Sequence, residues 1–209
     1  LPKETIYYSL WPDDSEETAA RNFKVSLNAL KKTLEPDRHA QQDSFFIVRS
    51  RSNYGFNERA SYVFDAQEFE MLLAEGDRQR DKRKQGELYR AAIELYQGDF
   101  LADLLYVDWI QGERERLRNL FLNSGDKLAR FYYLMDENTH ALEMADVLLE
   151  HDPCWEPAYL LKMKIYERLH RPYVAVKVYQ QCKSVLDREL NVSPMPKIEK
   201  YYQELISNM

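Results

Sequence analysis

The chain contains an internal repeat, formed by residues 141–153 (ALEMADVLLEHDP) and residues 175–186 (AVKVYQQCKSVL). They align at a spacing of 34 residues, so that Ala141 corresponds to Ala175. A period of 34 residues, with a small residue opening the second helix and a proline such as Pro153 closing it, is typical of tetratricopeptide repeats. The small residue lets the two helices of a hairpin approach closely. The spacing therefore predicts stacked helical hairpins.

Further pairs of residues keep this spacing, namely Tyr132 with Tyr166, Ala145 with Tyr179, and Leu148 with Cys182. One such unit cannot bury its apolar face alone, so a stack that ends in a capping helix is expected. Residues 193–206, SPMPKIEKYYQELI, suit the cap because prolines precede a helical pattern. We therefore predict a mainly α fold, with a tetratricopeptide-like superhelix over residues 65–209.

The earlier part of this region is also predicted to be helical. Asp65 is expected to cap a helix that Gly76 ends, and further helices are expected within residues 88–101 and 108–135. Between them, residues 77–87 (DRQRDKRKQGE) hold a basic cluster of Arg78, Arg80, Lys82, Arg83 and Lys84. A basic cluster can indicate a nucleic-acid patch. Because acids are interleaved with these residues, we interpret the stretch instead as a solvated linker or the polar start of the next helix.

The first 64 residues show a different pattern. A short helix is predicted over residues 2–11, and a second helix over residues 15–34, with Asp14 as its N-cap and Glu17 completing a capping box. Phe23, Leu27, Leu30 and Leu34 recur at helical spacing and form a stripe that is expected to face a core. After this helix, residues 45–49 and 52–57 are predicted to be two strands of a tight hairpin.

The opposite face of the second helix carries candidate DNA-binding residues. Helical geometry places Arg21, Val25, Asn28 and Lys32 directly opposite the apolar stripe, with Asn22 beside them and Lys24 and Lys31 at the flanks. Arginine, asparagine and lysine can donate to base edges in a major groove. Arg49 and Arg51 lie in or beside the hairpin connection. A basic helix followed by a basic hairpin is the layout of a winged helix, although an ordinary solvated face is the alternative.

Composition and charge limit the possible functions. The net charge of -6 argues against a protein that coats nucleic acid nonspecifically. Residues 1–64 hold nine basic and nine acidic residues, so any DNA binding must use a local patch there. No apolar run is long enough for a membrane span, and the start lacks a signal-peptide layout. We expect a cytoplasmic protein without membrane contact and, because it begins with Leu1, a piece of a longer one.

The sequence offers little support for catalysis or for a metal. His151 and Cys154 are spaced as His-x-x-Cys, and His170 and Cys182 follow, but no paired-cysteine motif accompanies them. The two cysteines are interpreted as reduced core thiols. No phosphate loop or hydrolase motif is present. We therefore predict a protein that is not an enzyme and that carries neither metal nor cofactor.

Two parts of the chain resemble one family. Residues 10–36 (LWPDDSEETAARNFKVSLNALKKTLEP) and 47–57 (IVRSRSNYGFN) resemble the response-regulator-type winged helix of bacterial activators of the antibiotic regulatory protein group. Residues 96–118 (YQGDFLADLLYVDWIQGERERLR), 148–169 and 175–196 resemble the bacterial transcriptional activator domain, which follows the winged helix in those regulators. The small sheet and further helix that open the family's winged helix have no counterpart in these residues.

The resemblance implies a sequence-specific transcription activator. Residues 1–64 would be a partial winged helix that contacts promoter DNA through Arg21, Asn22, Lys24, Val25, Asn28, Lys31 and Lys32, with Arg49 and Arg51 on or beside the wing. Residues 65–209 would contact RNA polymerase or another protein, or mediate self-association as a homodimer. Two alternatives stay open. One is a protein-interaction module without DNA binding, and the other is a ligand-sensing repeat domain.

Overall fold

The computed structural model describes residues 1–39, 42–104 and 107–209, apart from the side chain of Asp108. Contacts between residues divide the chain into two compact units, Leu1–Val63 and Phe64–Met209. The predicted mainly α architecture with one small hairpin is confirmed. Throughout the described ranges, each helix is too short or too polar to cross a membrane.

The first unit contains two helices and one antiparallel hairpin. Its elements are α1 (Lys3–Leu10), α2 (Glu16–Leu34), β1 (Ile47–Ser50) and β2 (Asn53–Phe56). The strands pair from Ile47 with Phe56 to Ser50 with Asn53, so Arg51 and Ser52 alone form the connection. The predicted hairpin is confirmed, but its strands are shorter than the predicted ranges 45–49 and 52–57.

Aromatic rings form the core of the first unit. The ring centroids of Tyr7 and Phe23 lie 5.4 Å apart, and those of Phe23 and Tyr54 lie 4.9 Å apart, both with edge-to-face geometry. Leu27 packs against this cluster, in agreement with the predicted apolar stripe. Leu30 does not follow the prediction, because its side chain is 42% exposed. The buried part of the stripe lies in the first half of α2, where α1 and the hairpin cover it.

The N-cap of α2 is Ser15, whereas the sequence predicts Asp14. The Ser15 hydroxyl oxygen accepts a hydrogen bond from the backbone N–H of Thr18 at 3.3 Å. The Asp14 carboxylate accepts instead from the side-chain amide of Asn22 at 2.8 Å. Serine and aspartate are both favoured N-cap residues, and the two are neighbours, so composition alone could not separate them.

The second unit is a series of seven helices within the described residues. These are α3 (Asp65–Arg78), α4 (Lys82–Leu95), α5 (Asp108–Leu134), α6 (Asn138–His151), α7 (Glu156–Arg168), α8 (Pro172–Leu190) and α9 (Pro196–Ser207). Each helix packs against the next, and α7 also contacts both α5 and α9. This is the arrangement of stacked helical hairpins, so the predicted tetratricopeptide-like superhelix is confirmed.

The residues that revealed the repeat lie in its core. Ala141, Ala145, Leu148, Ala175 and Cys182 are fully buried. Their small or compact side chains lie where neighbouring helices approach. The turns repeat as well, because Asp136 and His170, which are 34 residues apart, both adopt left-handed backbone conformations with φ of 63° and 54°. The period therefore describes the turns as well as the helices.

Helix α7 lies between two hydrophobic clusters. Ala158, Leu161 and Ile165 belong to a cluster shared with α3–α6. Tyr159 and Met163 belong to a second cluster, shared with α8 and α9. Burial on two sides explains why α7 is apolar around most of its circumference and not along one stripe.

Two predictions at the start of this unit were wrong in detail. Helix α3 does not end at Gly76 but continues to Arg78, and its N-cap is Phe64 while Asp65 is the first helical residue. An ideal Cβ on Gly76 would lie 2.8 Å from Cε1 of Tyr89, so glycine is needed there for space and not to end the helix.

The charged stretch after α3 is mostly helical. Asp81 caps α4 by accepting from the backbone N–H groups of Arg83 at 2.9 Å and Lys84 at 3.3 Å. Helix α4 begins at Lys82. The polar start of a helix therefore describes most of residues 77–87, and residues 79–81 connect the two helices.

Candidate nucleic-acid interface

One face of α2 presents the predicted basic and polar residues to solvent. Arg21, Val25, Asn28 and Lys32 are all exposed, and Val25 reaches 66% exposure. At 1.5 Å per residue, the stripe from Arg21 to Lys32 is about 16 Å long. An exposed valine between donors leaves room for close approach to a flat or grooved partner. The stripe has the dimensions and donor groups to lie in a major groove.

The residues that flank this stripe of α2 differ in their exposure to solvent. Lys24 is exposed, whereas Asn22 and Lys31 are half-buried. The Asn22 amide donates to Asp14, and a contact with a base would have to replace that bond. The side chain of Asn22 is therefore already used within the unit.

The hairpin holds its two arginines differently. Arg51 lies in the two-residue connection with φ of 56° and an exposed side chain. The Arg49 Nε donates to the Arg51 carbonyl at 2.8 Å, and its guanidinium carbon lies 5.6 Å from the centroid of the Tyr54 ring. Arg49 is thus oriented by the hairpin itself, and Arg51 projects from its tip.

Sequence reasoning missed a segment that extends the hairpin. The Lys3 N–H donates to the Ser52 carbonyl at 3.0 Å, and the Tyr54 N–H donates to the Leu1 carbonyl at 2.8 Å. Pro2 and Asn53 form an antiparallel bridge. Such a short pairing has no alternation of apolar and polar residues, so no sequence signal could have identified it.

Glu35 was also missed, although it anchors the loop between α2 and the hairpin. Its carboxylate accepts from the Ser44 hydroxyl and from the Phe45 N–H, the latter at 2.8 Å. The Ser44 hydrogen bond and then the Phe45 hydrogen bond lower the pKa of Glu35 below its ordinary value, with a smaller contribution from Arg38. The only sequence signal for this role of Glu35 is its position, directly after a helix and before a loop that contains a serine.

The interface has donor groups but no assembled metal site. Among the residues that the structure describes, no group of three or more His, Cys, Asp or Glu could hold a metal ion. His151 packs its ring against Phe121, with centroids 4.5 Å apart, and Cys154 lies half-buried beside the second cluster of the repeat unit. The acidic residues Glu16 and Glu17 occupy the first turn of α2, where the helix dipole favours negative charge.

Comparison with known proteins identifies the second unit most clearly. The family model for the bacterial transcriptional activator domain matches residues 64–206. Among solved structures, Mycobacterium tuberculosis EmbR in complex with a low affinity phosphopeptide matches 100% of this chain at 15% identity and a TM-score of 0.78. The match covers 55% of the EmbR chain, so the present chain spans about half of that protein.

A second solved structure is less similar. The TPR2B domain of yeast Sti1 in complex with pHsp70 matches 69% of this chain and 98% of that chain, at 14% identity and a TM-score of 0.49. Comparison with curated protein sequences gives no match. The EmbR likeness concerns the fold, and the family model concerns the repeat unit.

Proposed function

The chain belongs to the bacterial transcriptional activator domain family, and on that premise we propose that it is the DNA-binding and partner-binding part of a transcription activator. Residues 1–64 act as a partial winged helix on promoter DNA. Residues 65–209 bind RNA polymerase or another protein, in the cytoplasm and without catalysis. The observation that carries this proposal is the exposed stripe of Arg21, Val25, Asn28 and Lys32 on α2.

The hairpin supports the DNA-binding half of the proposal. Tyr54 of β2 packs on Phe23 of α2, so the hairpin and the proposed recognition helix share one core. In winged helices the helix reads base edges while the wing contacts the backbone. Arg51 at the hairpin tip is the candidate wing residue, and Lys24 is the candidate phosphate contact of the helix.

Local charge makes such binding possible in an acidic protein. Four basic residues and no acidic residue lie between Ala19 and Leu34, although the whole chain has a net charge of -6. A local basic face of this kind favours a contact with a short stretch of DNA, and the affinity of this contact falls as the salt concentration rises. Long-range attraction of the whole protein to DNA is not required.

The repeat unit supports the partner-binding half. Helical repeats expose extended surfaces, and their known use is to bind other proteins. The EmbR structure was solved with a phosphopeptide, which makes protein partners a reasonable class for this fold. Self-association as a homodimer is a further form of the same proposal.

Titration of a fluorescent random-sequence duplex with the chain at two salt concentrations tests the proposal. We expect binding that weakens at higher salt, and an affinity at least about tenfold lower for the double variant Arg21→Glu, Lys32→Glu. The matched control is Arg80→Glu, Lys84→Glu, which reverses two exposed basic residues of the repeat unit. Equal losses in the two double variants would contradict the assignment of the interface to α2.

A second candidate function, ligand sensing by the repeat unit, is favoured by one cleft. It has a volume of about 390 Å³, in the range of small-molecule sites, and its lining includes Phe69, Tyr96, Phe100 and Asp99. A compound that raises the melting temperature of the wild type but not of Ala102→Trp, which adds bulk to the lining of the cleft, would support this function. Equal stabilisation of both proteins would argue against it.

A further inference from the structure

A small groove separates α7 from α9 at the end of the repeat stack. It is lined by Leu160 and Lys164 of α7 and by Lys197, Lys200, Tyr201 and Glu204 of α9, and its volume is about 180 Å³. Three lysines and one glutamate therefore line a space that is large enough for one side chain. The groove lies within a single unit of the chain.

The positive charge of this groove is unusual for its surroundings. Residues 65–209 contain 20 basic and 26 acidic residues, whereas the lining of the groove holds three lysines and one glutamate. Among the ion pairs of the described residues, neither Lys164 nor Lys197 takes part. Lys200 lies 3.7 Å from Glu204, which neutralises one of the three charges.

Lys197 adds positive charge at the beginning of a helix. It lies in the first turn of α9, where the helix dipole favours anions and disfavours a cation. Glu199, the acid of the same turn, accepts instead from the hydroxyl of Tyr179. The helix end already has an anion, because the Glu156 carboxylate accepts from the Met195 N–H at 2.6 Å, so an anionic partner would compensate the two lysines without an ion pair.

The floor of the groove is apolar and well ordered. Leu160 is almost fully buried among the residues of the second cluster. The Tyr201 hydroxyl donates to Glu167, which fixes the ring, and the Lys164 ammonium lies 5.7 Å from the centroid of that ring. Lys164 is thus held at the edge of an apolar floor, where an apolar side chain and a carboxylate could bind together.

We propose that this groove binds an acidic segment of a partner protein. Carboxylates of the segment pair with Lys164, Lys197 and Lys200, while one apolar side chain rests on Leu160 and Tyr201. Outside the groove, acidic residues outnumber basic residues in this unit, and this negative charge repels a long polyanion such as DNA. A short acidic segment contacts only the groove. The inference rests on the proposed function only in that the repeats bind a protein.

Selection of a library of short random peptides on the immobilised chain tests this inference. We expect enrichment of peptides in which Asp or Glu flank a Leu or Phe, and weaker binding as salt is raised. An enriched peptide should bind Lys197→Glu, Lys200→Glu at least about tenfold more weakly by fluorescence anisotropy. The matched control is Lys177→Glu, Lys183→Glu, which reverses two exposed lysines of α8 outside the groove lining and should bind as the wild type does.

Several results would overturn the inference. These are enrichment of basic or neutral peptides, unchanged binding by the groove variant, and displacement of the acidic peptide by a random-sequence duplex, which would make the groove a nucleic-acid surface. Lys164→Gln, which removes one charge without reversing it, gives a milder second variant, and circular dichroism checks that each variant folds. Duplex binding is measured on the same preparations. Loss of peptide binding with duplex binding retained therefore concerns the groove alone and not the proposed DNA-binding function.

Discussion

The guanidinium of Arg168 lies over the ring of Tyr133, with its central carbon 3.5 Å from the ring centroid. The same group donates to the Tyr133 carbonyl at 2.6 Å and to the Asp136 carboxylate at 3.1 Å. Tyr133 lies in the last turn of α5 and Arg168 is the last residue of α7. One side chain therefore joins the turns of two consecutive repeats and adds a second hydrogen bond to a carbonyl that also accepts from the Asp136 N–H.

Replacement of Arg168 is expected to weaken the stack. Arg168→Ala should lower the free energy of unfolding by about 1–2 kcal/mol, since it removes a cation–π contact and charged hydrogen bonds from a side chain that is 34% exposed. Arg168→Lys should recover only part of this loss, because a lysine lacks the planar stacking group. Urea denaturation measures both, and Arg80→Ala, which removes an exposed arginine, should change little. Equal stability of Arg168→Ala and the wild type would mean that the turns are not coupled.

Glycine at position 86 is expected to be required for the packing of α4 on α5. An ideal Cβ there would lie 2.6 Å from Cζ and 2.7 Å from Cδ1 of Phe131, so Gly86→Ala should cost about 1–3 kcal/mol through overpacking. Gly112 is the matched control, because its Cβ would meet nothing within 4 Å and α5 is helical there. Gly112→Ala should stabilise the protein by up to about 1 kcal/mol in thermal or urea unfolding. Opposite signs for the two variants are the expected result, and a stabilised Gly86→Ala would contradict the close helix approach.

The thiol of Cys182 is expected to be inert in the folded protein. Burial raises the pKa of Cys182 to about 12, and burial together with the charge of Asp152 raises the pKa of Cys154. Because only the thiolate is nucleophilic, Cys182 should not react with a disulfide reagent near pH 8, whereas both thiols should react in denaturant. The variant Cys154→Ser isolates the signal of Cys182. Rapid reaction of that variant under native conditions would show that α8 is not packed as described.

The loop before the hairpin is expected to loosen in acid because of Glu35. The folded-state pKa of this carboxyl is lowered from its ordinary value of 4.5, so its contribution is fully present above that value and is lost as the pH falls below it. The protection factor of the Phe45 amide, which corrects the exchange rate for its intrinsic dependence on pH, should therefore fall below about pH 4.5. Glu35→Gln should remove this pH dependence at Phe45. An identical acid response in the variant and the wild type would assign the change to another group.

The sequence predicted the parts of the fold that local patterns specify. Ala141 and Ala175 revealed the hairpins of the repeat because the same helix approach needs a small residue each time. Gly76 was interpreted as a helix end, since glycine ends helices and also provides space, and only the position of Tyr89 distinguishes the two roles. The exposure of Leu30 could not be predicted, because periodicity defines a face and not what covers it.

The candidate interface was predictable in its faces but not in its side-chain bonds. Helical spacing was sufficient to place Arg21 and Asn28 on one exposed stripe. Asn22 donates a hydrogen bond to Asp14, and Arg49 donates one to the Arg51 carbonyl. Both bonds depend on contacts across turns, which a single sequence does not specify. The role of these residues on DNA stays a prediction.

DNA recognition by α2 is tested by selection of a random duplex library on the chain, followed by affinity measurements on every single base substitution of the selected site. We predict an enriched sequence motif. Asn28→Ala should relax specificity at one base pair by about 1–3 kcal/mol, whereas Lys24→Ala should weaken all sequences alike. Absence of an enriched motif, or a specificity profile that is unchanged in Asn28→Ala, would contradict DNA recognition by α2.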